Sequence, residues 1–239
     1  PFTEVQAVPW RDGAAVLDER CAPGATGVIV LRGPHIGPGY LDARRNAGLF
    51  EGGWVISGDL GHLDGEGRIH ITGRAKDVII RGSHNIDPGL VEDAFLAHPA
   101  VAQCAVVAEP DPYAGEVPAA FVVLRPGAAL TADALLAEVA PRVYERPACP
   151  KRVVLVPALP LTAIGKVFKP ALRLQAIELR LTDMARELAP ERAVAVQARE
   201  EGGVQRARIT LAGPADAALA ERLRAALAAV AVPVDIGFG

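Results

Sequence analysis

Hydrophobic and polar positions alternate in short runs over the first third of the chain, a pattern typical of β-strands. An apolar run lies between two glycines at Gly27–Gly33, and further strands are predicted at Gly53–Ser57 and Gly67–Gly73. The segment Asp64-Gly-Glu-Gly separates the last two strands and is typical of a hairpin turn, because glycine tolerates positive φ. Residues 1–73 are therefore predicted to form a β-rich unit.

The hydrophobic spacing changes after Gly73 to a mixture of helices and strands. Asp87-Pro88 predicts a helix start, because Asp is a good N-cap and Pro is favoured in the first turn. The apolar residues of that helix fall on one face, namely Leu90, Val91, Ala94 and Phe95. The other predicted elements are strands at Asp77–Ile80, Val101–Ala108, Val117–Leu124 and Arg152–Val156 and a helix at Thr131–Ala140. Helices against a small sheet predict a compact α+β domain over residues 74–173.

The last part of the chain, residues 174–239, has the pattern α-β-β-α-β. Its predicted elements are helices at Leu174–Leu188 and Ala215–Ala229 and strands at Ala193–Arg199, Val204–Leu211 and Val232–Phe238. Such an order can cover one face of a small sheet. The fold class predicted for the whole chain is therefore α+β: a β-rich unit, a small α+β domain and an extra tail.

Composition and charge exclude several classes of protein. The formal net charge is -3, with no basic stripe, which argues against nucleic acid as the main partner. The most apolar stretch of the tail, Ala225–Val232, is far shorter than the roughly 20 residues that span a bilayer, so no membrane span is predicted. Cys21, Cys104 and Cys149 are scattered, which favours a reduced, cytoplasmic setting. The histidines show no metal-ligand spacing, so no metal site is predicted.

Lys166 is the sharpest candidate for chemistry. It follows Gly165 in the Pro- and Gly-punctuated segment Pro160–Arg173, where a flexible ammonium can be delivered into a neighbouring site. When a carboxylate attacks a phosphate, two anions meet, and a cation between them stabilises the transition state more than the ground state. The alternative for Lys166 alone is a solvated loop lysine. The spacing is not that of a P-loop.

Four further residues are candidate contacts or hinges. Asp59, at a strand end, can accept hydrogen bonds from a ribose diol, and Arg74 offers a planar fork for ribose or phosphate oxygens. Lys76 lies where the β-rich unit gives way to the α+β domain and is a candidate hinge. Gly82 leaves room for a ligand chain to pass close to the backbone. The alternatives are a turn cap for Asp59, a charged turn for Arg74 and Lys76, and an ordinary turn for Gly82.

In this order, the segments resemble the C-terminal part of the acyl-activating, adenylate-forming enzymes, which include acyl-CoA synthetases, adenylation domains and luciferases. Gly33–Leu41 resembles the family's Gly-Tyr motif, and Gly53–Leu60 its aromatic-x-Thr-Gly-Asp motif, with Ser57 in place of the usual Thr. Gly73–Asp77 resembles the linker motif, and Pro160–Arg173 the loop of the adenylation lysine.

The resemblance covers about residues 1–173 and implies a role for each candidate. Lys166 is the implied catalytic residue of adenylation, Asp59 and Arg74 the nucleotide-binding residues, Lys76 the hinge and Gly82 the CoA-binding glycine. The family's reaction joins a small-molecule carboxylate to ATP and then to CoA, releasing pyrophosphate and AMP. ATP, Mg²⁺ and CoA are the implied cofactors, and the domains alternate between the two steps. The β-rich unit corresponds to the end of the large N-terminal domain, and residues 74–173 to its mobile C-terminal lid.

Two substitutions depart from the family's pattern. Ile164 replaces the usual Ser, and Lys169 replaces the common Arg, but neither removes the catalytic ammonium. Glu92 is interpreted as structural, because a carboxylate in the first turns of a helix offsets the helix dipole.

The Ser/Thr/Gly-rich phosphate loop and the carboxylate pocket of the family precede the point at which this sequence begins. We therefore expect the C-terminal fragment of an ATP-dependent carboxylic acid–CoA ligase, which needs the missing N-terminal large domain and does not make acyl-CoA by itself. The alternatives are a noncatalytic binding module that uses the tail as a partner surface, and an adenylation domain that loads a carrier protein. A downstream carrier segment would favour the second alternative.

Overall fold

The structure is a computed structural model that describes residues 2–11 and 13–239. Its contacts divide the chain into two compact units, Pro1–Val78 and Ile79–Gly239. The chain contains both β-sheets and α-helices, which confirms the predicted α+β class.

The first unit is built on an antiparallel sheet. Its strands are β1 (Glu4–Val8), β2 (Trp10–Arg11), β3 (Ala14–Ala15), β4 (Gly27–Arg32), β5 (Phe50–Glu51), β6 (Trp54–Leu63) and β7 (Ile69–Arg74). The sheet has the order β1-β4-β6-β5, with β7 also paired to β6, and β2 and β3 form a separate pair. Val8, Val28, Val30, Trp54 and Ile56 are among its buried core residues.

The predicted hairpin turn at Asp64 is confirmed. The Asp64 carboxylate accepts the backbone N–H groups of Glu66 and Arg68 between β6 and β7. Hydrogen bonds from the Arg68 guanidinium and from His70 hold the pKa of this carboxyl well below its usual range. An ionised aspartate therefore closes the turn that leads into β7.

The second unit contains two sheets and all four α-helices that the structure describes. Its first sheet comprises β8 (Ile79–Arg81), β9 (His84–Ile86), β10 (Val101–Asp111), β11 (Gly115–Leu124) and β12 (Arg152–Leu155). The second comprises β13 (Val194–Glu201), β14 (Val204–Leu211) and β15 (Val234–Phe238). The helices are α1 (Pro88–Leu96), α2 (Ala132–Val139), α3 (Lys169–Leu188) and α4 (Ala217–Leu227).

The first sheet of this unit is covered on both faces. Its order is β10-β11-β8-β9, with β12 parallel to β11. Phe95 of α1 and Leu135 of α2 pack with Val106 and Val122 on one face, and Leu172 of α3 packs on the other. Because both faces are buried, β10 and β11 are nearly continuous apolar runs rather than alternating ones.

Two local expectations differ from the structure in this region. Leu90 was expected on the buried face of α1 but is 42% exposed, because it lies at the edge of the stripe formed by Val91, Ala94 and Phe95. The strand expected at Asp77–Ile80 begins only at Ile79. The preceding residues close a 3-10 turn, in which the Val78 N–H bonds to the Ala75 carbonyl.

Helix α3 packs against both sheets of the second unit. Leu172 and Ala176 contact the core of the first sheet, whereas Leu181 and Met184 belong to a core with β14 and α4. The helix was expected from Leu174 but begins at Lys169, because Pro170 occupies the first turn, where its missing N–H costs nothing. The predicted α-β-β-α-β order of the tail is confirmed.

Candidate functional site

Asp59 lies on a bulge of β6. Three residues of β6, Ser57–Asp59, stand opposite the single residue Ile29 of β4. Gly58 supplies the positive φ that the bulge needs, at +73°. The Ser57 hydroxyl donates to the Ile29 carbonyl at 2.7 Å and accepts the Asp59 N–H at 3.0 Å. The hydroxyl at position 57 therefore fixes the backbone that presents the Asp59 carboxylate.

Asp59 and Arg74 form an ion pair across two strands. They are directly opposite in the β6–β7 register, and Arg74 Nη1 lies 2.8 Å from Asp59 Oδ1. The Arg74 side chain is 55% exposed and the Asp59 side chain 33% exposed, so both groups remain accessible to a ligand. This arrangement presents a carboxylate acceptor beside a guanidinium donor, which is the chemistry needed to hold a polyol next to a phosphate.

Lys76 lies in the short 3-10 turn Ala75–Asp77 that follows β7. Its side chain is exposed, whereas the neighbouring Ala75 is buried. The division between the two compact units falls between Val78 and Ile79, shortly after this turn. The position predicted as a hinge thus lies beside the boundary of the units.

Gly82 lies in the tight turn that joins β8 to β9. Its φ is +58°, and a Cβ added there would meet nothing within 4 Å. The Gly82 N–H donates to the Ala114 carbonyl at 2.8 Å, which ties the turn to the loop before β11. Glu116 accepts the Ile80 N–H beside it at 2.8 Å. Burial raises the pKa of the Glu116 carboxyl, against the opposing effects of that N–H and of Arg173.

Lys166 lies on a loop that its own hydrogen bonds close. Leu161 and Val167 form an antiparallel bridge. Inside the bridge, the Thr162 N–H donates to the Lys166 carbonyl at 2.7 Å, and the Lys166 N–H donates to Thr162 Oγ1 at 3.1 Å. Gly165 makes the turn possible with a φ of +78°. The Lys166 side chain is exposed on a loop of defined backbone.

An ion pair between Glu92 and Lys169 was not found from the sequence. Lys169 Nζ lies 2.7 Å from Glu92 Oε1, and the same oxygen accepts the Val106 N–H at 2.7 Å. The sequence predicts Glu92 as a structural residue in the first turns of α1 but indicates no partner for it. The two residues are far apart in the sequence, so only the fold brings them together.

The structure thus joins Asp59 to Arg74 in the first unit and places Gly82 and Lys166 on separate loops of the second. Among residues 2–11 and 13–239, no group of three or more His, Cys, Asp or Glu is arranged to hold a metal ion. Within the same residues, no helix is long and apolar enough to cross a bilayer.

A family model, curated relatives and solved structures all match parts of this chain. Residues 90–166 match the family described as AMP-binding enzyme C-terminal domain. The marinolic acid–CoA ligase of Pseudoalteromonas sp. (strain SANK 73390) is 41% identical over 170 residues, which are 71% of this chain and 26% of that protein.

Two solved structures are similar in fold as well as in sequence. ATP-bound MatB from Rhodopseudomonas palustris has a TM-score of 0.66 at 29% identity, over 75% of this chain and 35% of that one. The amide bond synthetase McbA from Marinactinospora thermotolerans has a TM-score of 0.62 at 34% identity, over 72% of this chain and 34% of that one. The chain therefore spans about a quarter to a third of the length of these proteins.

Proposed function

Because residues 90–166 belong to the AMP-binding enzyme C-terminal domain family, we propose that this chain is the C-terminal part of an ATP-dependent carboxylic acid–CoA ligase. The observation that supports this most directly is the Lys166 loop. An exposed ammonium is held there on a backbone closed by the Thr162 hydrogen bonds, within the residues that match the family.

In the first proposed step, a carboxylate oxygen attacks the α-phosphorus of ATP. The new oxygen–phosphorus bond forms as the bond to pyrophosphate breaks, and pyrophosphate leaves with the electron pair. The Lys166 ammonium lowers the barrier because it offsets negative charge that builds up as the two anions meet. Asp59 accepts hydrogen bonds from the ribose hydroxyls, and Arg74 donates to ribose or phosphate oxygens.

In the second proposed step, the thiolate sulfur of CoA attacks the acyl carbon of the adenylate. The bond from that carbon to the phosphate oxygen breaks, and AMP leaves with the electron pair. Lys166 has no part in this step. We propose that a φ/ψ change near Lys76 moves residues after the hinge, so that the Gly82 turn replaces the Lys166 loop at the reaction centre. The open space above Gly82 suits the thin pantetheine arm of CoA.

ATP and CoA are substrates in this scheme, and Mg²⁺ is expected to accompany the phosphates of ATP. No group of three or more His, Cys, Asp or Glu among the described residues is arranged to hold the ion. Bound with ATP, Mg²⁺ would offset the charge of the phosphates, with ligands from ATP and water.

The test uses the full-length protein that contains this chain. We expect it to exchange labelled pyrophosphate into ATP only when a suitable carboxylic acid is present, and to form AMP and an acyl-CoA once CoA is added. A panel of fatty and aryl acids supplies the candidate carboxylates. Absence of acid-dependent exchange across that panel would contradict the ligase and favour the noncatalytic binding module.

The isolated 239-residue chain tests whether the reaction requires the large domain. Its candidate residues contact the nucleotide and CoA, but the pocket for the carboxylate is expected in the large domain. We therefore expect no thioester from the isolated chain with ATP, acid and CoA. Sustained thioester formation by it would refute the division of labour.

The similarity to the amide bond synthetase McbA supports a second acceptor. An acyl-adenylate reacts with an amine by the same loss of AMP, so the first step does not distinguish the two activities. Product analysis with CoA and an amine in competition distinguishes them. A predominant amide would move the assignment from a thiol to an amine acceptor.

A further inference from the structure

The ion pair between Glu92 and Lys169 lies at the base of the Lys166 loop. Lys169 is the first residue of α3, three positions after Lys166 in the sequence. The two side chains are only 19% and 20% exposed, and the distance between Glu92 Oε1 and Lys169 Nζ is 2.7 Å. The same carboxylate oxygen accepts the Val106 N–H of β10. Glu92 therefore connects the end of the loop to β10, an edge strand of the first sheet of this unit.

The rest of the loop has few such anchors. Leu161 and Ile164 are 55% and 77% exposed, and Phe168 is 44% exposed. The Phe168 N–H donates to the Pro160 carbonyl at 2.8 Å, which closes the base of the loop on itself. This bond defines the shape of the loop, but it does not fix the direction of the loop relative to the sheet.

The surroundings of the pair make its geometry restrictive. Cys104 and Val106, on the neighbouring strand, belong to the buried core. Burial raises the pKa of the Cys104 thiol, as does the nearby Glu92 charge, whereas Lys169 opposes the rise. In a partly apolar site, each charge loses hydration that its partner partly restores, which favours the paired arrangement.

We propose that Glu92 is a positioning residue for Lys166. By holding Lys169 against β10, it fixes the direction in which the loop leaves the domain and thus the place to which the Lys166 ammonium is delivered. The catalytic part of this inference rests on the proposed ligase function. The structural part does not depend on it.

The structural part is tested on the 239-residue chain by amide hydrogen exchange. Glu92→Gln keeps an acceptor for the Val106 N–H but removes the charge that holds Lys169. We expect exchange of the Thr162, Lys166 and Phe168 amides to quicken about tenfold, since coupling between contacting charged residues is of that order. Lys169→Met should quicken exchange of the same amides to a similar extent. The double variant Glu92→Gln/Lys169→Met should exchange little faster than either single variant.

Two variants make this test specific. Lys169→Arg keeps the cation and should preserve slow exchange in the loop. Glu178→Gln is the matched control. Glu178 also lies on a helix and accepts a strand N–H, that of Ala198 at 2.8 Å, but this contact lies away from the loop. Unchanged loop exchange in Glu92→Gln, or equal acceleration in Glu178→Gln, would overturn the proposal.

The catalytic part is tested in the full-length protein by separating the two half-reactions. Glu92→Gln should lower the kcat of acid-dependent pyrophosphate exchange about tenfold, with little change in KM for ATP. Thioester formation from supplied acyl-adenylate should be retained, and Lys169→Arg should be near wild type in both. Equal loss of both half-reactions would overturn the positioning role. A wild-type protein without any pyrophosphate exchange would instead refute the ligase. Amide hydrogen exchange in the loop would still decide whether Glu92 orders the loop.

Discussion

The hydroxyl of Ser57 holds together the bulge that presents Asp59. Ser57→Ala removes the bonds to the Ile29 carbonyl and the Asp59 N–H, and we expect a loss of about 1 kcal/mol in the free energy of unfolding. Nucleotide affinity in the full-length protein should fall as well, because the Asp59 backbone is no longer held. Ser57→Thr keeps the hydroxyl and serves as the control. Urea denaturation and nucleotide titration measure both effects, and equal behaviour of the two variants would refute this role.

Glu116 is a second residue with a measurable effect, on the pH dependence of stability. Burial raises the pKa of its carboxyl above the ordinary value of 4.5. The folded state therefore binds this proton more tightly than the unfolded state does, and stability from this group is lost as the pH rises through the raised pKa.

Glu116→Gln keeps an acceptor for the Ile80 N–H and removes the buried charge. We expect it to be more stable than wild type at pH 7 and equal to it well below pH 4.5. Unfolding by urea at a series of pH values measures the difference. A variant that is less stable at pH 7, or an advantage that grows as the pH falls, would show that the charge is stabilising instead.

At the scale of elements, short sequence motifs predicted the features that depend only on neighbouring residues, such as helix starts. Asp87 and Thr131 were predicted at helix starts, and each accepts an N–H of the first turn of its helix. The bulge at Ser57–Asp59 could not be predicted, because it depends on how many residues β4 places opposite it. The pair of Glu92 and Lys169 required the packing of α1, α3 and β10. The candidate residues could thus be proposed from the sequence, but the contacts that hold them could not.

Helix α3 links the two cores of the second unit. Leu181 is fully buried against the second sheet, so Leu181→Ala should lower the free energy of unfolding by about 2–5 kcal/mol. Because the same helix packs on the first sheet through Leu172, probes in β10 and β14 should unfold with one midpoint.

The exposed Gln175 of α3 gives the matched control, and Gln175→Ala should stay within about 0.5 kcal/mol of wild type. Site-resolved hydrogen exchange in urea measures both cores. If β14 loses protection in Leu181→Ala while β10 keeps its wild-type midpoint, the two cores unfold independently and α3 does not couple them.

At the scale of the whole molecule, the proposed reaction divides its steps between two separate loops of the second unit. In this proposal, the Lys166 loop serves adenylation, and the Gly82 turn serves thioester formation. The Asp59–Arg74 pair belongs to the other compact unit. That residues 174–239 form a separate tail domain stays a prediction.

The most direct measurement compares the two half-reactions in the full-length protein carrying Lys166→Ala. Lys151, whose side chain is 52% exposed and 3.4 Å from Asp111, provides the matched control as Lys151→Ala. We predict that Lys166→Ala lowers acid-dependent pyrophosphate exchange by about 10²–10³-fold, while thioester formation from supplied acyl-adenylate stays near wild type. Lys151→Ala should leave both rates unchanged. Equal loss of the two half-reactions in Lys166→Ala, or full retention of exchange, would contradict the assignment of Lys166 to adenylation.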